Sequence, residues 1–169
     1  SDGGRIEAAS VLAVILETLS PIWPGRLSLG GRGLGDVWRH SGIRADDASD
    51  GLVPFHKLSQ WLTYSLVEPL EAGGLAVTGL DRLTGLAEYR NGGLFVDLGV
   101  VVPKSPSLLA RSHAPDVEAV VEWRALTIQL LDRIVEPVGA ALGVALSMPQ
   151  ILEGGTWSAG RRIAAEKRP

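Results

Sequence analysis

Along residues 5–19 the apolar side chains Ile6, Ala9, Val11, Leu12, Ile15, Leu16 and Leu19 keep helical spacing, and Pro21 with Pro24 ends the run. Its apolar core is too short to span a bilayer, Glu17 interrupts it, and no basic segment precedes it. It therefore reads as a first core helix rather than a membrane or signal segment. Residues 25–51 follow as loop, with Gly30-Gly31-Arg32-Gly33-Leu34-Gly35 inside it and at most a short helical turn around 36–40. A second helix is predicted over 55–70, with Pro54 at its first position and Gly73-Gly74 beyond its end. Its face carries Leu58, Trp61, Leu62, Ser65, Leu66 and Pro69, so Trp61, Leu62 and Leu66 are expected in the core.

Residues 75–78 suit a short strand, and Asp81, Leu83, Leu86 and Tyr89 suggest a helical start before Asn91-Gly92-Gly93. The apolar run 94–102, broken by Asp97, fits either strand or buried helix. After a Pro-rich loop at 103–115, residues 116–142 form the longest helical pattern, which Pro137 is expected to kink or divide. A last helix covers part of 149–166. The pattern predicts a mainly α fold, a single helical domain over 1–169 with at most a few short strands, and no repeat of fixed period.

A chain of 169 residues with 46% hydrophobic and 21% charged residues is long enough to bury a core. The net charge of -3 offers no broad cationic surface, so nucleic acid is not an expected partner, and neither is a membrane. Without cysteine there are no disulfides, thiolate metal sites or thiol nucleophiles. His40, His56 and His113 are scattered, with no HxxxH or HExxH pair, so neither metal nor cofactor is expected. A cytoplasmic location follows as the expectation. The ends, Ser1-Asp2-Gly3-Gly4 and Glu166-Lys167-Arg168-Pro169, suggest a portion of a longer chain.

Candidate chemistry concentrates in a few places. On the second helix His56, Lys57, Gln60 and Tyr64 form a polar stripe, which suits a ligand or simply a solvated face. Glu88, Tyr89, Arg90 and Asn91 place an acid, a phenol, a guanidinium and an amide beside a glycine pair. Those groups suit water activation, contact with a sugar hydroxyl and a grip on phosphate; alternatively Glu88 and Arg90 form an ion pair at a helix end. Asp97, surrounded by Leu94, Phe95, Val96 and Leu98, needs a guanidinium or several N–H groups within reach. Glu122-Trp123-Arg124 lies in an apolar stretch, where Arg124 either pairs with Asp97 or Glu88 or orients a catalytic acid. Leu152-Glu153-Gly154-Gly155-Thr156-Trp157 sets an acid and an indole around a glycine pair that permits close backbone approach. The glycine-rich 30–35 segment lacks a leading strand and a GK[ST] continuation, and Asp46-Asp47 does not end an apolar strand, so neither is read as a phosphate site.

The segments Gly3-Gly4-Arg5-Ile6-Glu7-Ala8-Ala9-Ser10, Leu34-Gly35-Asp36-Val37-Trp38-Arg39-His40, Pro54-Phe55-His56-Lys57-Leu58-Ser59-Gln60-Trp61, Glu88-Tyr89-Arg90-Asn91-Gly92-Gly93, Val121-Glu122-Trp123-Arg124-Ala125-Leu126-Thr127 and Leu152-Glu153-Gly154-Gly155-Thr156-Trp157 resemble a uracil-catabolism family of fungi and bacteria. The resemblance implies the C-terminal portion of such a protein, which accompanies a cyclohydrolase-II-like protein in a pathway through ribosylated urea. A more distant resemblance runs to the queuosine-salvage N-glycosidase family, through Phe55, Lys57 and Gln60; Glu88, Tyr89 and Arg90; Glu122 and Arg124; and Leu152, Glu153 and Trp157. Glu stands at 88 and 153 where that family has Asp, and Asn91-Gly92-Gly93 replaces its Val-Pro-Gln, which implies a different substrate. That likeness implies a helical fold related to DNA glycosylases. It also implies hydrolysis of a ribose N-glycosidic bond, for which the pathway of the first family makes ribosylurea or its 5′-phosphate the candidate substrate. Glu88 and Glu153 are then the catalytic acids; Lys57, Gln60, Tyr89, Arg90, Trp157 and His56 bind substrate; and Arg124, Glu122 and Asp97 support them. The alternatives are a non-catalytic partner of the cyclohydrolase-II-like enzyme and a uracil phosphoribosyltransferase.

Overall fold

The computed structural model describes residues 4–23 and 27–168. The chain forms two compact units, one of Ser1–Val37 with Pro54–Thr84 and the other of Trp38–Val53 with Gly85–Pro169.

In the first unit, strand β1 (Arg5–Glu7) leads into α1 (Ala8–Leu19), and β1 pairs in parallel with the last strand, β6 (Ala76–Thr78), in the register Arg5↔Ala76, Ile6↔Val77, Glu7↔Thr78. Helix α1 buries Ala8, Val11 and Ile15, at spacings of three and four, and packs against α2 (Lys57–Ala72). The expected first helix thus begins three residues late, because Arg5 to Glu7 are held in the parallel pair. The expected strand near 75–78 is present as β6. Gly30 and Gly31 have φ of 56° and 77° and close a two-residue hairpin between β2 (Ser28–Leu29) and β3 (Arg32–Gly33), where a loop was expected. Left-handed φ at both turn positions matches the right-handed strand twist, and glycine adopts it without strain. The helical turn expected near 36–40 is instead β4 (Val37–Arg39), paired with β5 (Leu52–Pro54).

Helix α2 overturns a second expectation. Trp61 is 40% exposed and Leu62 and Leu66 are half-buried, whereas Ser59, Gln60 and Thr63 are buried. The polar face can turn inward because its groups are satisfied there. Thr63 Oγ1 donates to the Ser59 carbonyl at 2.9 Å, and Gln60 Nε2 donates to the Phe55 carbonyl at 3.2 Å and to Thr84 Oγ1 at 3.0 Å. Gln60 Oε1 accepts the Thr84 N–H at 3.1 Å, and the Tyr64 hydroxyl donates to the Thr84 carbonyl at 2.9 Å. The three bonds with Thr84, which lies outside α2, fix the rotation of the helix more sharply than an apolar stripe, which lacks directional preference.

The second unit, which takes in most of β4 and β5 through Trp38–Val53, is otherwise mainly helical. Helix α3 (Tyr89–Asp97) packs against α4 (Glu118–Leu142), a π-helical segment (Ile151–Trp157) and α6 (Ser158–Lys167), with α5 (Met148–Gln150) leading into the π segment. The ambiguous 94–102 run is helical as far as Asp97. Asn91-Gly92-Gly93, expected to stop a helix, lies inside α3. A Cβ on Gly92 would stand 2.7 Å from the Trp123 ring and 2.8 Å from Thr127 Oγ1, and Trp123 Nε1 donates to the Gly92 carbonyl at 3.2 Å. Close approach of α4 therefore offsets the roughly 1 kcal/mol that glycine costs in a helix. Helix α4 continues past Pro137 to Leu142 and ends at Gly143, whose φ is 69°.

Candidate functional site

Glu88 has extended backbone and caps α3: its Oε2 accepts the Arg90 N–H at 2.8 Å. A carboxylate at this position satisfies an N–H that the first helical turn leaves open and meets the positive end of the helix dipole. Glu88 is only 8% exposed, and its Oε1 lies 4.0 Å from an Arg90 guanidinium nitrogen. The Arg90 guanidinium carbon stands 5.0 Å from the centroid of the Tyr89 ring and 5.9 Å from that of Trp157. Within one unit, four residues picked out in the sequence therefore meet: a carboxylate, a guanidinium and two aromatic faces, with Tyr89 itself exposed. The ion pair considered for Glu88 and Arg90 is present.

Two contacts assemble this group. Asn91 is completely buried; its Nδ2 donates to the Leu86 carbonyl at 3.0 Å and its Oδ1 accepts the Thr156 hydroxyl at 2.8 Å. Asn91 thus ties the start of α3 to the π-helical segment next to Trp157. Gly160 lies directly on the Arg90 backbone, so that a Cβ there would collide with the Arg90 carbonyl oxygen. The π helix is itself unusual, since i→i+5 turns are rare and concentrate at functional sites. The helical pattern of 149–166 gave no sign of it. Asn91 was legible as part of a motif, but its structural role was not, and Gly160 carried no signal without a known partner for α6.

The remaining candidates are placed elsewhere. Glu153 is exposed on the π segment. Glu122 is exposed on α4, which corrects the expectation of a buried charge there, and Arg124 is half-buried. Asp97, at the far end of α3, receives both guanidinium nitrogens of Arg168 on its two carboxylate oxygens, at 2.5 and 2.6 Å, and its carbonyl accepts from Lys167 Nζ. The guanidinium expected beside Asp97 is present and comes from Arg168. At 1.5 Å per residue, a helix of this length puts Asp97 about 12 Å from the Glu88 end, so it belongs to another cluster.

In the first unit, the Lys57 N–H donates to Asp36 Oδ2 at 3.1 Å, and Gln60 holds Thr84 as described. His56, just before α2, has φ of 46°, the one left-handed residue other than glycine among the described residues. Burial pushes its imidazole below the ordinary histidine range, against the opposing pull of the Asp36 carboxylate. A histidine whose folded pKa is lowered favours the native state above its unfolded value, and that contribution is lost as pH falls from about 6.5 through the folded value. The thermal midpoint should therefore decline between pH 7 and pH 5. In His56→Asn, which tolerates left-handed backbone, the decline should be shallower; an unchanged slope would assign it to other groups.

Among the described residues no group of three or more His, Asp and Glu side chains is placed to hold a metal ion, and no helix is long and apolar enough to cross a membrane.

The fold and site define a mainly helical protein with a buried carboxylate beside a guanidinium and two aromatic rings at one helix start. Over residues 1–169 the sequence matches a family described as a protein of unknown function, DUF1688. It is 46% identical over 156 residues to "Protein urg3" of Schizosaccharomyces pombe, covering 89% of this chain and 38% of the relative. It is 40% identical over 186 residues to "Uracil catabolism protein 4" of Lachancea kluyveri, covering 97% of this chain and 42% of the relative. The chain belongs to this uracil-catabolism family, and it spans about two-fifths of the length of those relatives. No solved structure matches.

Proposed function

We propose that the protein acts in uracil catabolism as a hydrolase of a ribose N-glycosidic bond, with ribosylurea or its 5′-phosphate as substrate. The name of the Lachancea kluyveri relative supports the pathway. The observation that carries the chemistry is the buried Glu88 carboxylate beside an Arg90 guanidinium held near Tyr89 and Trp157.

Water adds to C1 of the ribose as the bond from C1 to the urea nitrogen breaks, and a proton passes to that nitrogen, releasing urea. The transition state carries positive charge on the ring, which a nearby carboxylate stabilises. Glu88 Oε2 is occupied by the cap, so Oε1, paired with the Arg90 guanidinium at 4.0 Å and beyond hydrogen-bond distance of it, is the oxygen that faces the sugar and draws a proton from water. Glu153 protonates the leaving nitrogen, Arg90 holds the phosphate, Tyr89 and Trp157 cover the sugar, and Arg124 orients an acid. Water is the only co-reactant.

The test is urea release from ribosylurea and its 5′-phosphate by a full-length family member and by this chain. Release from one of them is expected, and no release at any pH would remove both substrates. One observation favours a second reading, a non-catalytic partner that binds the intermediate for a cyclohydrolase-II-like enzyme: Arg90 engages both oxygens of Glu88. On that reading the ribosylurea compound binds without turnover.

A further inference from the structure

On α2 the stripe Leu58, Trp61, Leu62, Ser65, Leu66 and Pro69, apolar but for Ser65, recurs every three or four residues and so occupies one helix face. Leu58 is 45% and Trp61 40% exposed, Ser65 and Pro69 are exposed, and only Leu62 and Leu66 are half-buried. Partly exposed apolar side chains lined up on one helix face, here Leu58, Trp61 and Pro69, cost free energy in water and mark a surface suited to a partner. We propose that this face docks an amphipathic helix from the part of the family's polypeptide that these 169 residues do not span.

Two observations select that occupant. The chain covers 38% and 42% of its relatives, so those proteins hold more than enough further polypeptide to cover the stripe. The second is area. With 16 residues, α2 is about 24 Å long, and a stripe about 10 Å wide on it would bury roughly 500 Å² in total against a partner. A stable pair of separate molecules needs about 1,200 Å² or more, so a second copy seated on this face alone would not hold. A segment of the same polypeptide avoids most of the association entropy and acts at an effective concentration on the order of mM. The spacing of three and four residues suits the ridges of another helix.

The chain contains no cysteine, so Leu58→Cys and Ser65→Cys each introduce a single thiol. Maleimide labelling, read peptide by peptide in the mass spectrometer, should be fast for both variants of this chain. Cysteines at the aligned positions of the full-length Lachancea kluyveri relative should label roughly 100-fold or more slowly, since a thiol beneath a docked helix reacts only when the docking opens. Denaturant should abolish the difference. Equally fast labelling in the two proteins would overturn the proposal. So would protection in this chain alone that grows with concentration alongside a dimer mass by light scattering, because the occupant would then be a second copy. Ser65 is already exposed, so Ser65→Cys keeps the fold, which circular dichroism checks, and carries the test if Leu58→Cys does not fold.

Discussion

Glu88→Gln should lower turnover of ribosylurea phosphate by about 100- to 10,000-fold with little change in KM, as expected when one charge-stabilising or proton-transferring group is lost. Glutamine keeps the length and one acceptor oxygen, so the Arg90 N–H retains a partner at the start of α3. What disappears is the charge that the developing oxocarbenium ion needs. The same substitution removes an anion from a helix start and from the side of Arg90, which should cost about 1 kcal/mol of stability. Turnover and thermal midpoint therefore separate the two roles of this carboxylate. Near-normal turnover with a small loss of stability would make Glu88 a cap and nothing more, and a variant that fails only by unfolding would likewise make the carboxylate structural.

The largest stability effect should come from Asn91→Leu. The side chains have similar volume, so little cavity forms, but the Leu86 carbonyl and the Thr156 hydroxyl lose their buried partner together. Unsatisfied buried groups cost about 1–3 kcal/mol each, so a total of about 3 kcal/mol is expected in chemical denaturation. Thr156→Val added to Asn91→Leu should recover part of that loss, because removing both ends of a buried hydrogen bond costs less than orphaning one. Strict additivity would show that the bond does not hold α3 to the π segment.

The parts of the fold readable from sequence are those set by long apolar periodicity. Helices α1, α2 and α4 and the mainly α class follow from spacing, with Pro21 after α1 and Gly73-Gly74 after α2; Pro54, read as the first residue of α2, instead ends β5, and α2 begins at Lys57. Elements decided by partners far along the chain were not readable. The Arg5 to Glu7 strand exists through its pairing with Ala76 to Thr78, and the glycines inside α3 are explained by Trp123 and Thr127. Apolar spacing named the stripe of α2 correctly but not its direction, because the bonds of Gln60 and Tyr64 to Thr84 set the helix rotation. At the site, the run Glu88-Tyr89-Arg90 was legible from residue types at adjacent positions, and Trp157 from the glycine pair before it. Their assembly through Asn91, Thr156 and Gly160 was not, since an amide, a hydroxyl and a missing side chain become informative only once packed.

The central claim, cleavage between ribose C1 and nitrogen, is tested most directly by running the reaction in water enriched in oxygen-18 and weighing the products. Attack on C1 predicts urea released intact and unlabelled, whatever label the C1 oxygen of the sugar takes up by exchange through its open-chain aldehyde. Carbamate, or ammonia with carbon dioxide, in place of urea, with the sugar released as its 1-amino derivative, would place the attack on the urea carbon and contradict the assignment of Glu88 to the sugar.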